Sequence, residues 1–454
     1  MQMSPSAAVA RTTTEPPAAA TTYRLHRRPG ALPLLGDLLR ARADHLGFLD
    51  ECMGTGADIV EVDLATRAGF AVFHPDAVRQ VLVDDNDLWL REGNLETRAI
   101  AAYFGRGVLT TDGPDWLACK RLNAPAFARE AVTGMQALID DSIDRSLAAW
   151  PATTTERPLF DDFLALAVTA TTTAFFSERP DADEQADLLE AMREGPELIF
   201  DMARNRAPWL RHLPTPRARR VNRAVAAVEK LIARNVARRA REGSRDRADL
   251  LDLIVSHRDP RTGALASPDE IRDHLFTALI AAPENIATTL AWASHALATN
   301  PTILDELRRT LAHNDRTYLR AVIDETMRRH APTPMIDRTA ARDTNLGGIQ
   351  IPRKSLLLIP ILAIHNNPRY WESPATFRPA RFLDNPKPAA WFPFGHGPRK
   401  CIGERLGRAV IESALSRFVI GFDWNRPTKE EPGVSALVNL RPRDRMRMLV
   451  SRVA

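Results

Sequence analysis

The chain has 454 residues and shows neither an internal repeat nor a linker that would divide it into two cores, so we expect one large domain. Its 61 basic and 57 acidic residues leave a formal charge of +4, and this near balance argues against nucleic-acid binding. Hydrophobic residues make up 44% of the chain and aromatic residues only 6%. Such a composition favours packed helices, so the predicted class is mainly α.

The three cysteines, Cys52, Cys119 and Cys401, are too few and too scattered for a disulfide framework, and they lack the spacing of a zinc site. A reducing cytoplasm fits this usage.

Neither a signal peptide nor a membrane anchor is predicted at the amino terminus. Residues 1–22 are rich in Ala, Thr, Ser and Pro without an apolar run, so we expect a disordered tail followed by one domain over 23–454. The longest apolar run, 356–364, is broken by Pro360 and is shorter than the ~18 residues of a membrane span. We therefore expect no membrane association.

The amino-terminal part of the domain is predicted to mix helix and strand. Apolar residues recur at helical spacing over 32–49 and 76–82, while 59–63 and 70–73 have the pattern of short strands. Residues 118–298 are helical in pattern almost throughout and form the predicted helical body. Three interruptions are expected in this body, at 151, 206–216 and 257–264.

The clearest helix start is the segment Ser267-Pro268-Asp269-Glu270, in which Ser caps the helix, Pro occupies the first turn and Glu completes a capping box. This helix is predicted to end at 298, and some 30 residues at 1.5 Å each span about 45 Å. Asn300-Pro301 opens the next helix in the same way. Beyond His330 the chain is Pro-rich, and the predicted elements are short strands at 347–351 and 356–359 and a last helix over 403–418.

The segment 394–403 is a glycine-rich loop that presents a single cysteine and then opens into a helix. Gly395 and Gly397 permit backbone turns that are closed to other residues. Gly403 lets the following helix lie close to a flat ring. Cys401 precedes a helix amino terminus, whose dipole and free N–H groups favour a thiolate, and a thiolate bound to iron pushes electron density onto the metal.

This loop resembles the heme-binding signature F-G-x-G-x-R-x-C-x-G of the cytochrome P450 family and matches it at every fixed position. The resemblance covers the chain from about Leu32 onward and implies a triangular, mainly helical fold with a minor β region. It also implies heme b (iron protoporphyrin IX) with Cys401 as the metal ligand. Within the loop, the implied cofactor-binding residues are Phe394, Gly395, Arg399, Cys401 and Gly403. The alternative is a buried cysteine in a glycine loop, but a pattern this long rarely arises by chance.

Two further motifs follow in the family's order, Glu325-Thr326-Met327-Arg328 on a helix and 377–382 before the cysteine loop. Glu325 can pair with Arg328, one turn away, and with Arg381, making a buried network that positions the loop. Alone, such a pair is most often an ordinary surface ion pair. The family usually has Glu where Ala380 stands.

Heme propionates need cationic or N–H partners once they are buried. The family usually has W-x-x-x-R in a helix at this point, whereas here Lys120 is the fourth residue after Trp116 and Arg121 follows. The predicted partners are Arg399, Arg338, Trp116, Lys120 and Arg121. Trp116 has the alternative of being a core aromatic.

Within the long helix, the segment Ala281-Ala282-Pro283-Glu284-Asn285 stands in the place of the family's A-G-x-[DE]-T. In the family, the acid and the alcohol relay protons to bound dioxygen. Glu284 keeps the acid, but the Asn285 amide cannot readily give up and regain a proton as a hydroxyl does. Pro283 lacks an N–H and clashes with the carbonyl of the residue four positions earlier, so a kink is predicted. The predicted catalytic residues are Ala281, Ala282, Glu284 and Asn285.

Three functions remain open at this point. In the first, the chain is a monooxygenase, with Thr288, Thr289 or water carrying the protons in place of the missing alcohol. In the second, no dioxygen is protonated, because the substrate or a peroxide supplies a weak N–O or O–O bond for isomerisation, peroxygenation, or nitrene-type transfer and cyclisation. In the third, it is a heme-binding sensor or carrier that has lost catalysis, which the retained Glu284 argues against.

An apolar small molecule, aromatic or terpenoid, is the implied ligand, in bacterial secondary metabolism that includes antibiotic biosynthesis. The family places substrate contacts in the loop before the Trp116 helix and in the mid-chain helices. The candidates there are Trp89, Leu95, Ile100, Tyr103, Phe104, Ile199, Phe200, Trp209 and Leu210. Apolar residues in helices are more often core than pocket.

Basic residues around the cysteine loop suggest a docking face for an acidic ferredoxin or flavodoxin. They are Arg399, Lys400, Arg405 and Arg408, with Lys120, Arg121 and Arg129 nearby. The alternative is that this cluster has no role in docking and only reflects the high Arg content of the chain.

Overall fold

The computed structural model describes residues 22–28, 36–65, 67–91, 95–204, 208–242, 249–259, 262–383, 387–428, 430–436 and 438–453. The predicted tail, residues 1–22, lies outside this set except for Thr22.

Fifteen α-helices lie in these described ranges. They are α1 (Leu38–Ala43), α2 (His45–Gly54), α3 (Pro75–Arg79), α4 (Leu95–Phe104), α5 (Gly113–Asn123), α6 (Arg129–Ala148), α7 (Leu159–Phe176), α8 (Ala182–Arg204), α9 (Pro216–Glu242), α10 (Leu250–Ser256), α11 (Pro268–Thr299), α12 (Pro301–Ala312), α13 (Thr317–Arg329), α14 (Ile361–His365) and α15 (Glu404–Gly421).

The strands are short and belong to four sheets. They are β1 (Leu25–Arg27), β2 (Ile59–Asp63), β3 (Ala68–Val72), β4 (Trp89–Leu90), β5 (Thr155–Pro158), β6 (Ile336–Ala340), β7 (Thr344–Leu346), β8 (Ile349–Ile351), β9 (Leu356–Ile359), β10 (Phe422–Asn425), β11 (Val434–Ala436), β12 (Leu440–Pro442) and β13 (Arg447–Arg452). The main sheet has the order β1-β2-β3-β9-β6-β4, a second sheet has the order β10-β13-β5, and β7-β8 and β11-β12 are two-stranded. The predicted class, mainly α with a minor β region, is confirmed.

The long helix α11 begins where its capping box predicts. The Ser267 N–H donates to Glu270 Oε2 at 2.8 Å, and the Glu270 N–H donates to Ser267 Oγ at 3.3 Å. The helix then runs through Pro283 without interruption and is buried along most of its length. It therefore forms a long wall through the interior of the helical body.

The apolar helix α7 packs beside α11 and α6. By length and composition it is the one helix in the described ranges that could cross a membrane. Of its residues 83% are buried inside the protein, however, as in the core helix of a globular domain. Its apolar composition is accounted for by this packing.

The apolar interior consists of two clusters of buried side chains. The larger is formed by the helices and includes Phe163, Trp292 and Phe418. The smaller surrounds the main sheet and includes Val60 and Phe392. The functional site lies where these two clusters approach each other.

Several boundaries differ from the predicted ones. The predicted helix over 32–49 is two helices, because Asp44 interrupts it and caps α2 by accepting a hydrogen bond from the Gly47 N–H at 3.0 Å. The segment predicted over 76–82 is α3 followed by a π-helical turn over Gln80–Asp84. Strand β5 follows the interruption at 151 and was not predicted; it pairs with the distant β13.

Candidate active site

A cavity of about 490 Å³ lies between the cysteine loop, α11 and the helices α4, α5 and α8. The side chain of Cys401 is exposed to it. Most of the cavity wall is apolar, and its polar groups are concentrated in a few places. This is the general character of a ligand pocket in an enzyme.

Backbone contacts hold the cysteine loop in shape. The N–H of Cys401 donates to the carbonyl of Phe394 at 2.9 Å and the N–H of Lys400 to that of Gly397 at 3.0 Å. Gly395 and Gly397 have φ of +74° and +69°. A Cβ at Gly397 would overlap the carbonyl oxygen of Leu82, so this glycine is required both by its φ and by close packing.

The Cys401 thiol lies at the amino-terminal end of α15, which begins at Glu404. Burial raises the pKa of this thiol, while the backbone N–H of Gly403 and the charge of Lys400 act in the opposite direction. A metal ion bound to the sulfur would deprotonate the thiol outright. The donor set therefore suits a single thiolate ligand, which Cys401 would supply to an iron.

The space beside the thiol suits a flat ring. A Cβ added at Gly395 or Gly407 would meet nothing within 4 Å, although both residues line the cavity. At Gly403 a Cβ would lie 3.8 Å from the Phe127 ring and 4.0 Å from the Cys401 sulfur. Three glycines thus leave a smooth wall along which a heme could lie against the sulfur.

Three guanidinium groups line the cavity together, those of Arg91, Arg338 and Arg399. Burial, together with the charges of Arg91 and Arg399, lowers the pKa of Arg338 to about 9 against the opposing effect of Asp337. Asp112 neutralises part of this charge, since it accepts from the backbone N–H of Arg91 at 2.8 Å and from the Arg399 side chain. The remaining positive charge fits the two propionates of a heme.

The aromatic ring of Trp116 makes cation–π contacts with two of the predicted propionate partners. The Arg399 guanidinium lies 4.4 Å and the Lys120 ammonium 5.3 Å from its centroid. Lys120 also donates to the carbonyl of Pro398 at 2.8 Å. Arg121 does not line the cavity; its side chain points towards Asp259, with 3.9 Å between Nε and Oδ2. We therefore do not propose Arg121 as a propionate partner.

The Glu325 carboxylate is the centre of the second motif. It accepts from Arg328 at 2.8 and 3.1 Å and from Arg381 at 3.1 Å, and its exposed fraction is 0%. The backbone N–H of Arg378 donates to it as well, at 2.9 Å. Arg328 also donates to the carbonyls of residues 365 and 374, at 2.8 Å each. The network ties α13 to the irregular chain that leads into the cysteine loop.

Across the cavity, α11 contributes Ala281, Ala282, Glu284 and Asn285 to the wall. The Asn285 Nδ2 donates to the carbonyl of Ala281 at 2.8 Å, and its Oδ1 accepts from the Thr333 hydroxyl at 3.4 Å. Thr289 lines the cavity and donates to the Asn285 carbonyl at 2.9 Å, whereas Thr288 is fully buried outside the lining. Of the two threonines considered for proton transfer, Thr289 is the better placed.

The Glu284 carboxylate is buried and forms an ion pair with Arg441 of β12. Burial lowers the pKa of Arg441, but the hydrogen bond and charge of Glu284 outweigh it and raise this pKa overall. Arg441 lies 157 positions away in sequence. No local motif marks it, so sequence analysis did not identify it.

The predicted substrate contacts fall into three groups. Ile100, Tyr103, Phe104 and Ile199 line the cavity. The side chains of Leu95 and Phe200 lie outside the described set.

The third group lies away from the cavity lining. Trp89 is 1% exposed in β4, where it pairs with Ala340 and belongs to the core around the sheet. Trp209 is 58% exposed, and Leu210 packs against the helical core. We do not propose these three as substrate contacts. Sequence analysis missed Arg91 and Thr333, although Thr333 stands in the Pro-rich segment Ala331-Pro332-Thr333-Pro334.

Known proteins resemble this chain over almost its full length. Cyclooctat-9-en-7-ol 5-monooxygenase of Streptomyces melanosporofaciens is 31% identical over 416 residues, 87% of this chain and 88% of that protein. Cyclooctatin synthase of the same organism is 30% identical over 439 residues, 92% of each chain. Pentalenene oxygenase of Streptomyces avermitilis is 25% identical over 426 residues, 88% of this chain and 91% of that protein.

The fold has a counterpart in a solved structure. The crystal structure of the cytochrome P450DA heme domain matches with a TM-score of 0.82 at 23% identity, over 95% of this chain and 99% of that one. The family model described as cytochrome P450 matches residues 27–443. Since this match spans most of the chain and the cysteine loop carries the family's signature, the chain belongs to the cytochrome P450 family.

Proposed function

We propose that the chain is a heme-thiolate monooxygenase that acts on an apolar small molecule of bacterial secondary metabolism. The cofactor of the family is heme b, which when bound supplies an iron centre that activates dioxygen for attack on unactivated carbon. One observation carries the proposal: Cys401 and the Asn285 turn of α11 line the same, mainly apolar cavity.

Each part of the wall has a proposed role. Cys401 would hold the iron of a heme, and Arg91, Arg338 and Arg399 would bind its propionates. The small side chains of Ala281 and Ala282 leave space in the cavity for the reactants, and the surrounding protein limits access of bulk water. We assign proton delivery to the Glu284 carboxylate and the hydroxyls of Thr289 and Thr333, which line the cavity. Asn285 only orients the two hydroxyls, because Thr333 donates to its Oδ1 and Thr289 to its backbone carbonyl.

The substrate we propose is an alicyclic, terpenoid-like molecule. The relatives' names refer to an alkenol and an alkene, and Ile100, Phe104 and Ile199 give the cavity the apolar wall that such a molecule requires. We extend the proposal to antibiotic biosynthesis in the cytoplasm, with a ferredoxin or flavodoxin as electron donor.

Oxygen-independent chemistry is the less favoured candidate. It was prompted by Asn285 alone, and two of the three relatives described above are named as a monooxygenase and an oxygenase. The loss of catalysis in a sensor or carrier is also less favoured, because the site retains the acid, the thiol and the Glu325 network. Product formation that requires both dioxygen and reductant would separate monooxygenation from these two functions.

The test of the thiolate is spectroscopic. The dithionite-reduced carbon monoxide complex of the purified protein should show the red-shifted Soret band of a thiolate ligand, and Cys401→Ser should abolish that band. Cys119→Ser is the matched control and should keep it, because Cys119 lies on α5 outside the cavity lining. A histidine-type spectrum in the unmodified protein would overturn the assignment.

A further inference from the structure

The side chain of Arg441 joins two helices of the cavity wall. Its Nε pairs with the Glu284 carboxylate of α11, and its Nη2 donates to the carbonyl of Met192 in α8 at 2.7 Å. The side chains of Arg441 and Glu284 are only 13% and 5% exposed. Each charge is therefore the main counter-charge of the other, and removing one leaves a buried charge without compensation.

The Met192 carbonyl is available to Arg441 because of a proline. In an α-helix the carbonyl of residue 192 accepts from the N–H of residue 196, and in α8 that residue is Pro196, which has no N–H. The guanidinium supplies the missing donor, and a charged donor makes a stronger hydrogen bond than a neutral amide. Gly195, Pro196 and Ile199 line the cavity, so this turn of α8 lies where a ligand contacts the helix.

A second proline lies at the other end of the contact. Pro283 directly precedes Glu284 and removes the donor for the carbonyl of Leu279 in α11. A helix that lacks one of its hydrogen bonds bends most easily at that point. Arg441 thus contacts both helices close to their weakest turns.

The backbone beneath Arg441 is firmly held. Arg441 lies opposite Ser435 in the β11-β12 hairpin. The N–H of the preceding residue, Leu440, donates to the Pro332 carbonyl at 2.9 Å, and the Leu440 carbonyl accepts from Trp292 Nε1 at 3.1 Å. The guanidinium therefore reaches both helices from a fixed support, and a displacement of α8 changes its contact with Met192 directly.

We propose that Arg441 is a positioning residue that couples the position of α8 to the direction of the Glu284 carboxylate. With Nη2 bound to the α8 carbonyl, the guanidinium keeps Glu284 in its ion pair beside Asn285. When a ligand in the cavity displaces α8, the guanidinium shifts and the Glu284 turn of α11 moves with it. The role of Glu284 in proton transfer rests on the proposed function, but the coupling follows from the contacts alone and is measurable without turnover.

Hydrogen exchange of the holoenzyme tests the coupling, with 4-phenylimidazole as the probe that fills the cavity. In the unmodified protein, the probe should change amide exchange both in α8 around Met192 and in α11 from Glu284 to Thr289. In Arg441→Met, exchange in this part of α8 should rise by about tenfold or more without the probe. The probe should then still change exchange in α8, while its effect on α11 should shrink to the part that direct contact with the lining residues Asn285 and Thr289 produces.

Three variants keep the outcome interpretable. Glu284→Gln keeps a side-chain oxygen that can accept from Arg441 Nε, so the contact of Arg441 with Met192 should persist and exchange in α8 should rise less than in Arg441→Met. Arg441→Met combined with Glu284→Gln removes both buried charges, and it should fold while showing the same rise in α8. Arg443→Met changes an exposed arginine at the end of the same strand and should behave as the unmodified protein.

Two results would overturn the proposal: no rise of α8 exchange in Arg441→Met or the double variant, or a response of α11 to the probe that is as large without Arg441 as with it. A protein that binds no 4-phenylimidazole at all would instead contradict the proposed heme site. Failure of the coupling and failure of the function are thus distinguishable.

Discussion

The carboxamide of Asn285 makes contacts that a threonine in the same place could make only in part. A threonine hydroxyl can donate and accept at once, but both contacts would have to meet at one oxygen close to the backbone. The carboxamide uses two atoms, with Nδ2 donating to the carbonyl of Ala281 and Oδ1 accepting from Thr333. The alcohol that the family carries on α11 is therefore replaced here by an amide that contacts an alcohol from another part of the chain. This arrangement keeps a hydroxyl beside the proposed proton path.

Asn285→Thr tests this residue. If the chain is a monooxygenase, the product should stay the same, and peroxide release per reductant consumed should change by less than about tenfold, because Thr289 and Thr333 remain in place. Product and peroxide measured together in air decide the result. Thr288→Val is the control, since Thr288 is buried outside the cavity lining and its hydroxyl has no hydrogen-bond partner among the residues that the structure describes.

The opposite outcome has a clear signature. The unmodified protein would then convert a substrate that has its own N–O or O–O bond under anaerobic conditions. Asn285→Thr would slow this reaction or divert the product towards hydroxylation. Both results together would contradict monooxygenation and support oxygen-independent chemistry.

At the scale of the elements, α13 and the irregular chain around residue 381 are held together by one buried carboxylate. Glu325 offsets the charges of two buried guanidiniums, Arg328 and Arg381. The loss of Glu325 leaves both cations without their carboxylate partner, whereas the loss of Arg381 leaves one ion pair intact. Removing Glu325 should therefore lower the free energy of unfolding more than removing Arg381 does.

Glu325→Gln should lower the free energy of unfolding by about 3–5 kcal/mol, and Arg381→Met by less. Denaturant unfolding of the holoenzyme measures both values. Arg378→Met is the matched control, because that side chain is exposed and pairs at the surface with Glu372. Equal costs for Glu325→Gln and Arg378→Met would show that the network does not hold these elements together.

The elements also show what the sequence could and could not predict. The start of α11 and the cysteine loop were predictable, because a capping box and a glycine-rich signature are local patterns in which neighbouring residues satisfy one another. The Glu284–Arg441 pair was not, because its partners meet only after folding. Trp89 was misassigned because an aromatic residue near a predicted pocket has the same pattern as one buried in a short strand.

For the molecule as a whole, the proposed docking face contains fewer available basic residues than the sequence suggested. Arg399 lies against the cavity, and Arg408 pairs with Asp324 at 2.8 Å. Lys400 is exposed but pairs with Glu404 at 2.5 Å, so Arg129 and Arg405 are the exposed cations on which the proposed docking of an acidic electron donor rests. Such an encounter is accelerated by long-range attraction, which salt screens.

Reduction by an acidic ferredoxin should slow by about tenfold between roughly 50 mM and roughly 500 mM salt. The double change Arg129→Glu and Arg405→Glu should slow it at low salt and remove most of the salt dependence. Stopped-flow reduction under carbon monoxide measures these rates. Arg353→Glu, an exposed arginine between β8 and β9, should leave them unchanged. Rates that are independent of salt would exclude this docking face.

The two apolar clusters have a consequence for how the molecule unfolds. The cavity is lined from the helical cluster by Phe127 and Leu406 and from the cluster around the sheet by Ile336 and Ile361. A cofactor bound between them contacts both, so its binding free energy stabilises both against unfolding. A bound heme should therefore make the two clusters unfold together. The cooperativity of unfolding then depends on the occupant of the cavity as well as on the chain.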